Sequence, residues 1–157
     1  MTSDPISVAV ALGSNLGNRK QHLQDALREL ARSVDNLRVS SFFETNPVGV
    51  EPDAPRFLNA AAVGNTSLSA TDLLAELLAI ERRGGRTRPY AGASRAIDLD
   101  LIFYGGEVID APGLVVPHPR FRERRFVLEP LAEIAPEWRD PVTGKTVAEL
   151  LRLAALT

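Results

Sequence analysis

The sequence predicts an α+β fold, a ferredoxin-like βαββαβ core in which helices pack on an antiparallel sheet, with a C-terminal hairpin and helices added. Three observations predict it. Candidate elements run strand, helix, strand, strand, helix, strand before the additions begin. Their apolar residues keep the periods of strands and helices in those places. The 157 residues, 45% hydrophobic and 24% charged, suit one domain spanning 1–157 with a sizeable core.

Ile6 to Leu12 is a β-branched and alanine run that stops at Gly13-Ser14-Asn15, the mark of a strand entering a turn. Leu23, Ala26, Leu27, Leu30, Ala31 and Val34 recur as one face of a helix. Arg38 to Glu44 reads as the second strand. The stretch 45–56 holds Pro47, Gly49, Pro52 and Pro55 and reads as a loop. Phe57 to Asn65 is the third strand. Ser69 with Asp72 three residues on caps a helix reaching Glu81 or Arg82. Leu73, Leu74, Leu77, Leu78 and Ile80 make that helix apolar round much of its circumference. Irregular chain over 83–94 leads to the fourth strand, Ala96 to Tyr104, which Gly105-Gly106 should end in a hairpin with residues near Val108. Phe126 to Ile134 and Thr146 to Ala154 read as closing helices.

Composition excludes several functions. With no cysteine there is no disulfide framework, thiolate metal site or cysteine nucleophile. A net charge of −2 does not suit a protein whose whole surface binds nucleic acid. No apolar run reaches the ~18 residues of a spanning helix. Asp4 and Pro5 before a short apolar run do not suit a signal peptide, so the cytoplasm is the expected location. Gly13-Ser-Asn-Leu-Gly17 lacks the phosphate-binding glycine pattern and reads as a turn.

The segment Arg95-Ala-Ile-Asp-Leu-Asp-Leu-Ile-Phe-Tyr104 carries the clearest chemistry. Strand alternation puts Asp98 and Asp100 on one face, ~7 Å apart at the backbone, and Ile97, Leu99, Leu101 and Phe103 on the other. Two carboxylates held together repel unless a hard cation joins them. Mg²⁺, commonly completed by phosphate and water, is such a cation. An isolated Asp-x-Asp is more often a solvated strand face, but this one lies between arginine clusters. Arg82, Arg83, Arg86, Arg88 and Arg95 precede or open the strand, and Arg120, Arg122, Arg124 and Arg125 follow His118. These nine are half of the chain's 18 Lys plus Arg. Any single one reads first as a solvated surface side chain. Together they suit a Mg²⁺-polyphosphate, whose oxygens guanidinium groups neutralise. His118, between Pro117 and Pro119, could donate to a phosphate or serve as a turn residue.

Four segments in this order resemble the 6-hydroxymethyl-7,8-dihydropterin pyrophosphokinase family of folate biosynthesis. They are Ala11-Leu-Gly-Ser-Asn-Leu-Gly-Asn18, Phe57-Leu-Asn-Ala-Ala61, Arg95-Ala-Ile-Asp-Leu-Asp-Leu101, and Val116-Pro-His118 leading to Arg124-Arg-Phe126. The resemblance implies transfer of the pyrophosphoryl group of ATP to the pterin hydroxymethyl oxygen, leaving AMP. It implies that Asp98 and Asp100 hold two Mg²⁺ ions. Arg86, Arg88, Arg95, His118 and Arg124 would clamp the triphosphate, with Arg86, Arg95, His118 and Arg124 aiding the transfer, and Glu81 would lie near the nucleoside. The pterin would sit between Phe57 and Phe126, read by Asn59 and by the Thr45, Asn46 and Val48 segment. Each phenylalanine also reads as ordinary core. The stretches 45–56 and 83–94 match the segments this family closes over its substrates.

Three departures stand out. Pro89-Tyr-Ala-Gly-Ala-Ser94 lacks the family's Trp-Gly-Pro run, Leu78 replaces a frequent glutamine, and Phe57 a frequent tyrosine. The expected partners are the two small-molecule substrates, with no nucleic acid and no membrane, and the chain is expected to be a monomer. Two other classes stay open: a ferredoxin-like nucleic-acid-binding module, and a non-catalytic relative that binds pterin or nucleotide.

Overall fold

Strand β1 (Ile6–Ser14) runs through the middle of the sheet and is buried from Val8 onward, as a strand covered on both faces must be. The computed structural model describes residues 4–45, 56–85 and 96–154. β1 pairs antiparallel with β4 (Phe57–Thr66) on one side and β5 (Asp98–Tyr104) on the other. β2 (Asp35–Val39) joins the far side of β4, giving the order β2-β4-β1-β5, and the short β3 (Phe43–Thr45) continues along β4. This is the ferredoxin-like order, as expected.

Helices α1 (Arg19–Leu30) and α2 (Ala70–Gly85) cover one face. Leu23, Leu30, Leu73, Leu77 and Ile80 pack there on Val8, Val10, Leu12, Leu99 and Leu101. The Asn18 side chain caps α1 by accepting from the Gln21 amide at 3.1 Å, and the Ser69 hydroxyl accepts from the Asp72 amide at 3.1 Å. Leu78 points outward at 44% exposure, so the apolar circumference of α2 is only partly used. Helices α3 (Arg125–Ile134) and α4 (Val147–Ala154) cover the other face, where Val127, Leu128, Leu131 and Leu150 meet Ala9, Ala11, Ala61, Ile102 and Phe103. Among the described residues no helix is long and apolar enough to cross a membrane.

Four readings need correction. Arg38 to Glu44 is not one strand, because pairing breaks at Ser40, whose hydroxyl accepts from the Ala61 amide and donates to the Ser41 carbonyl. Glu133 of α3 then takes the Ser41 amide and hydroxyl at 2.7 and 2.8 Å. In β5 a bulge opposite Ala9 and Val10 breaks the alternation, turning Phe103 into the α3–α4 core and Tyr104 into the other. Gly105, at φ 54°, ends β5, but β6 (Ile109–Ala111) pairs forward with β7 (Leu114–Val116), turning at Gly113, rather than back on β5. α2 continues past Arg82, so Arg83 is helical instead of opening an irregular stretch.

Candidate active site

Strand register assembles the site. Gly13 of β1 lies opposite Asp98 of β5 and Asn59 of β4, and Asn59 in turn opposite Phe43 of β3. Asp100, Ala11 and Ala61 form the next row of that face. The acid pair and Asn59 therefore share the α3 side of the sheet. Gly13 leaves room for Asn59 and Phe57. A methyl group there would stand 3.0 Å from Asn59 Oδ1 and 3.7 Å from the Phe57 ring. Asn59 is buried, and its amide Nδ2 donates to the Thr45 hydroxyl at 2.5 Å, tying β4 to β3. Phe57, opposite Thr45, is half-buried.

A second wall comes from the chain after β7. The Val116–Pro117 peptide is cis, and the His118 amide donates to the Ile102 carbonyl at 3.1 Å, anchoring the turn to β5. Nδ1 of His118 accepts from the Arg120 amide at 3.1 Å, which leaves the proton of the neutral ring on Nε2. That Nε2 lies 4.0 Å from Asp100 Oδ1, and Arg124 Nη1 lies 4.0 Å from Asp100 Oδ2. Burial, then the charges of Arg124 and Arg120, hold the His118 pKa below its ordinary value, which favours the neutral ring at pH 7. Arg124 also sits 5.6 Å above the ring of Phe126, which is half-buried at the start of α3.

Glu81 closes the third side. Its Oε2 accepts from the amide of Leu99, between the two aspartates, at 2.7 Å. Burial pushes its pKa up to about 7, and Asp98 and Asp100 push the same way, outweighing the Leu99 hydrogen bond. The carboxylates thus already crowd one another. Among the described residues no cluster of three or more acidic or histidine side chains is arranged to hold a metal. Two half-exposed aspartates on one strand face fit Mg²⁺ that draws its other oxygens from phosphate and water.

The arginine clusters divide. Of the described members, Arg124 lies beside the acid pair, 4.0 Å from Asp100. Arg83 binds Glu29 and Glu76 on the helical surface, at 2.6 and 3.2 Å. Arg120 lies 3.6 Å from Glu123, Arg125 binds Glu129 at 2.7 Å, and Arg122 binds the buried Asp140. Arg86, Arg88 and Arg95, with Asn46 and Val48, lie outside the described residues. Sequence reasoning missed the space-making role of Gly13, the Glu81–Leu99 contact and the Arg122–Asp140 pair. Only the first left a local signal, a glycine ending a buried strand.

Fold and site together define a ferredoxin-like α+β protein with an acid pair, a histidine and an arginine at one end of its sheet. The sequence profile of 7,8-dihydro-6-hydroxymethylpterin-pyrophosphokinase (HPPK) matches residues 9–136, and the chain belongs to that family. It is 43% identical over 144 residues to a 2-amino-4-hydroxy-6-hydroxymethyldihydropteridine pyrophosphokinase of Synechocystis, covering 90% of this chain and 73% of the relative. The enzyme of the same name from Bacillus subtilis is 45% identical over 137 residues, covering 86% and 81%. An HPPK-DHPS crystal structure from Plasmodium falciparum superimposes with a TM-score of 0.77 at 14% identity, a likeness of fold. The superposition covers 96% of this chain and 45% of that longer one.

Proposed function

We propose that this chain transfers the β,γ-pyrophosphoryl group of ATP to the hydroxymethyl oxygen of 6-hydroxymethyl-7,8-dihydropterin, releasing AMP. The observation that carries this reading is the shared face: Asp98 and Asp100, with His118 Nε2 and Arg124 Nη1 each 4.0 Å from Asp100, one strand away from the buried Asn59. The hydroxymethyl oxygen bonds to the β-phosphorus, and the bond from that phosphorus to the α,β-bridging oxygen breaks, its electron pair leaving with AMP. Such transfers depend on positioning and charge neutralisation, so no covalent nucleophile is needed.

Asp98 and Asp100 would hold Mg²⁺, two ions in this reading, and bound magnesium would neutralise phosphate charge. Arg124 and the Nε2–H of His118 aim donors at the same space and would hold phosphate oxygens, joined by Arg86, Arg88 and Arg95. Glu81 would face the nucleoside side. Asn59, held by Thr45, would read the pterin edge, with Phe57 and Phe126 against its ring and Asn46 and Val48 supplying main-chain partners. The reading takes 1–157 as one domain, a cytoplasmic monomer without a nucleic-acid partner.

A ³¹P NMR time course with ATP, Mg²⁺ and the pterin tests the reaction. AMP and a pterin diphosphate in equal amounts, abolished by EDTA, support it. ADP with free phosphate, or pterin binding without turnover, would overturn it.

A further inference from the structure

Asp140 lies in the turn before α4, where it is fully buried and heavily bonded. Arg122 grips it with two parallel bonds, Nε at 2.5 Å and Nη2 at 2.8 Å. The Thr143 hydroxyl donates at 2.7 Å and the Val142 amide at 3.0 Å. Burial alone would raise the Asp140 pKa, but these donors together hold it below the ordinary value, so the carboxylate stays charged. Its own amide and carbonyl close the turn, bonding the Lys145 carbonyl and the Gly144 amide at 2.9 and 2.8 Å.

Arg122 belongs to the 3₁₀ turn Phe121–Glu123, between His118 and Arg124. That turn is locked from the other side by aromatic packing. Phe121 meets Phe103 edge to face at 5.2 Å, the Arg122 guanidinium lies 4.7 Å from the Phe121 ring, and Phe103 stacks on Trp138 at 5.2 Å. Trp138 is two residues from Asp140, and Phe103 is three residues from Asp100 on β5. The contacts therefore close a ring: Asp140, Arg122, Phe121, Phe103, Trp138 and back to Asp140. Through this ring the segment carrying His118 and Arg124 is held to Phe103 of β5.

We propose that Asp140, acting through Arg122, is a positioning residue that sets where His118 and Arg124 stand relative to Asp100. The proposal rests on the pyrophosphokinase reading for its effect on turnover but not for its effect on His118. A two-point guanidinium–carboxylate bond fixes direction as well as distance, and neither an amide nor an ammonium reproduces it. Displacement of a positioned group by about 1 Å can cost on the order of 10²-fold in rate.

The test uses Asp140→Asn, with Arg122→Lys as a second variant that keeps the charge and the stem. Each is checked for a cooperative melt, and Arg122→Lys decides if Asp140→Asn does not fold. The His118 ring nitrogens are followed by ¹⁵N NMR, the only other histidine being His22. In a folded variant the His118 signals should shift or split, kcat should fall about 10- to 100-fold, and pterin affinity should stay within about twofold. A folded variant with wild-type His118 signals, or with wild-type kcat in an active enzyme, would overturn the proposal. So would a kcat loss accompanied by an equal loss of pterin affinity, the mark of general loosening. If the wild type makes no AMP, the pyrophosphokinase reading fails alone, and the His118 signals still decide this one.

Discussion

The two faces of the sheet use the same strands for different ends. Under α1 and α2 the apolar residues continue along β5, from Tyr104 through Leu101 and Leu99 to Ile97. Under α3 and α4 the apolar face stops part way: Ile102, Phe103, Ala11 and Ala61 are covered, and Asp100, Asp98, Gly13 and Asn59 follow. Alternation lets one strand serve both ends, because Leu99 and Leu101 anchor the backbone from which Asp98 and Asp100 project. The completed core holds the rows in register, and the unfinished face carries Asp98, Asp100 and Asn59 beyond its last apolar residues.

Breaking the unfinished face should give the largest effect on activity and little on stability. Asp98→Ala should lower turnover by at least about 10³-fold, which corresponds to about 4 kcal/mol. Its melting temperature should be unchanged or slightly higher, since a like charge leaves Glu81. Steady-state kinetics beside a thermal melt checks both. Next, Asn59→Ala should raise the pterin KM about 10-fold or more while the ATP KM moves little, since Asn59 sits on the β3–β4 side of the site. Gly13→Ala should do the same more weakly, because its methyl group would press on Asn59 Oδ1 at 3.0 Å.

The smallest effect sharpens the comparison through pH. Glu81 has a folded pKa of about 7 against an ordinary 4.5, so the folded state binds its proton more tightly than the unfolded state does. Its contribution to stability therefore falls as pH rises from about 4.5 to about 7, and is fully lost above that. Glu81→Gln, which keeps an acceptor for the Leu99 amide, should flatten the melting temperature across that window and raise it at pH 8. Saturating Mg²⁺ should stabilise the wild type more at pH 8 than at pH 5.5, as differential scanning fluorimetry would read.

What local pattern could carry, the sequence carried. The order of elements, the helix cap at Ser69 and the shared face of Asp98 and Asp100 follow from periodicity and polar punctuation, which act over a few residues. Two of the misreadings turn on partners distant in sequence. Ser40 leaves its strand for Ala61, and Ser41 for Glu133, 92 residues away. Phe103 changes face because β5 bulges against β1. The arginines after His118 looked alike in the sequence, but the fold gives Arg122 to Asp140, Arg125 to Glu129 and Arg124 to the acid pair. Charge density predicted an anion site, and only long-range contacts could say which guanidinium faces it.

The division of labour between the faces is tested most directly by two neighbours on β5, Asp100→Asn and Leu101→Ala, measured side by side for turnover and melting temperature. Asp100→Asn should lose turnover by about 10²-fold or more and melt within a few degrees of the wild type. Leu101, 5% exposed, sits in the completed core, so its truncation should cost about 2–5 kcal/mol, or roughly 5–15 °C. Assayed well below its melting point, Leu101→Ala should keep kcat within about threefold, a fraction of a kcal/mol in barrier height. An Asp100→Asn protein with wild-type turnover, or a folded Leu101→Ala protein as inactive as Asp100→Asn, would contradict the account.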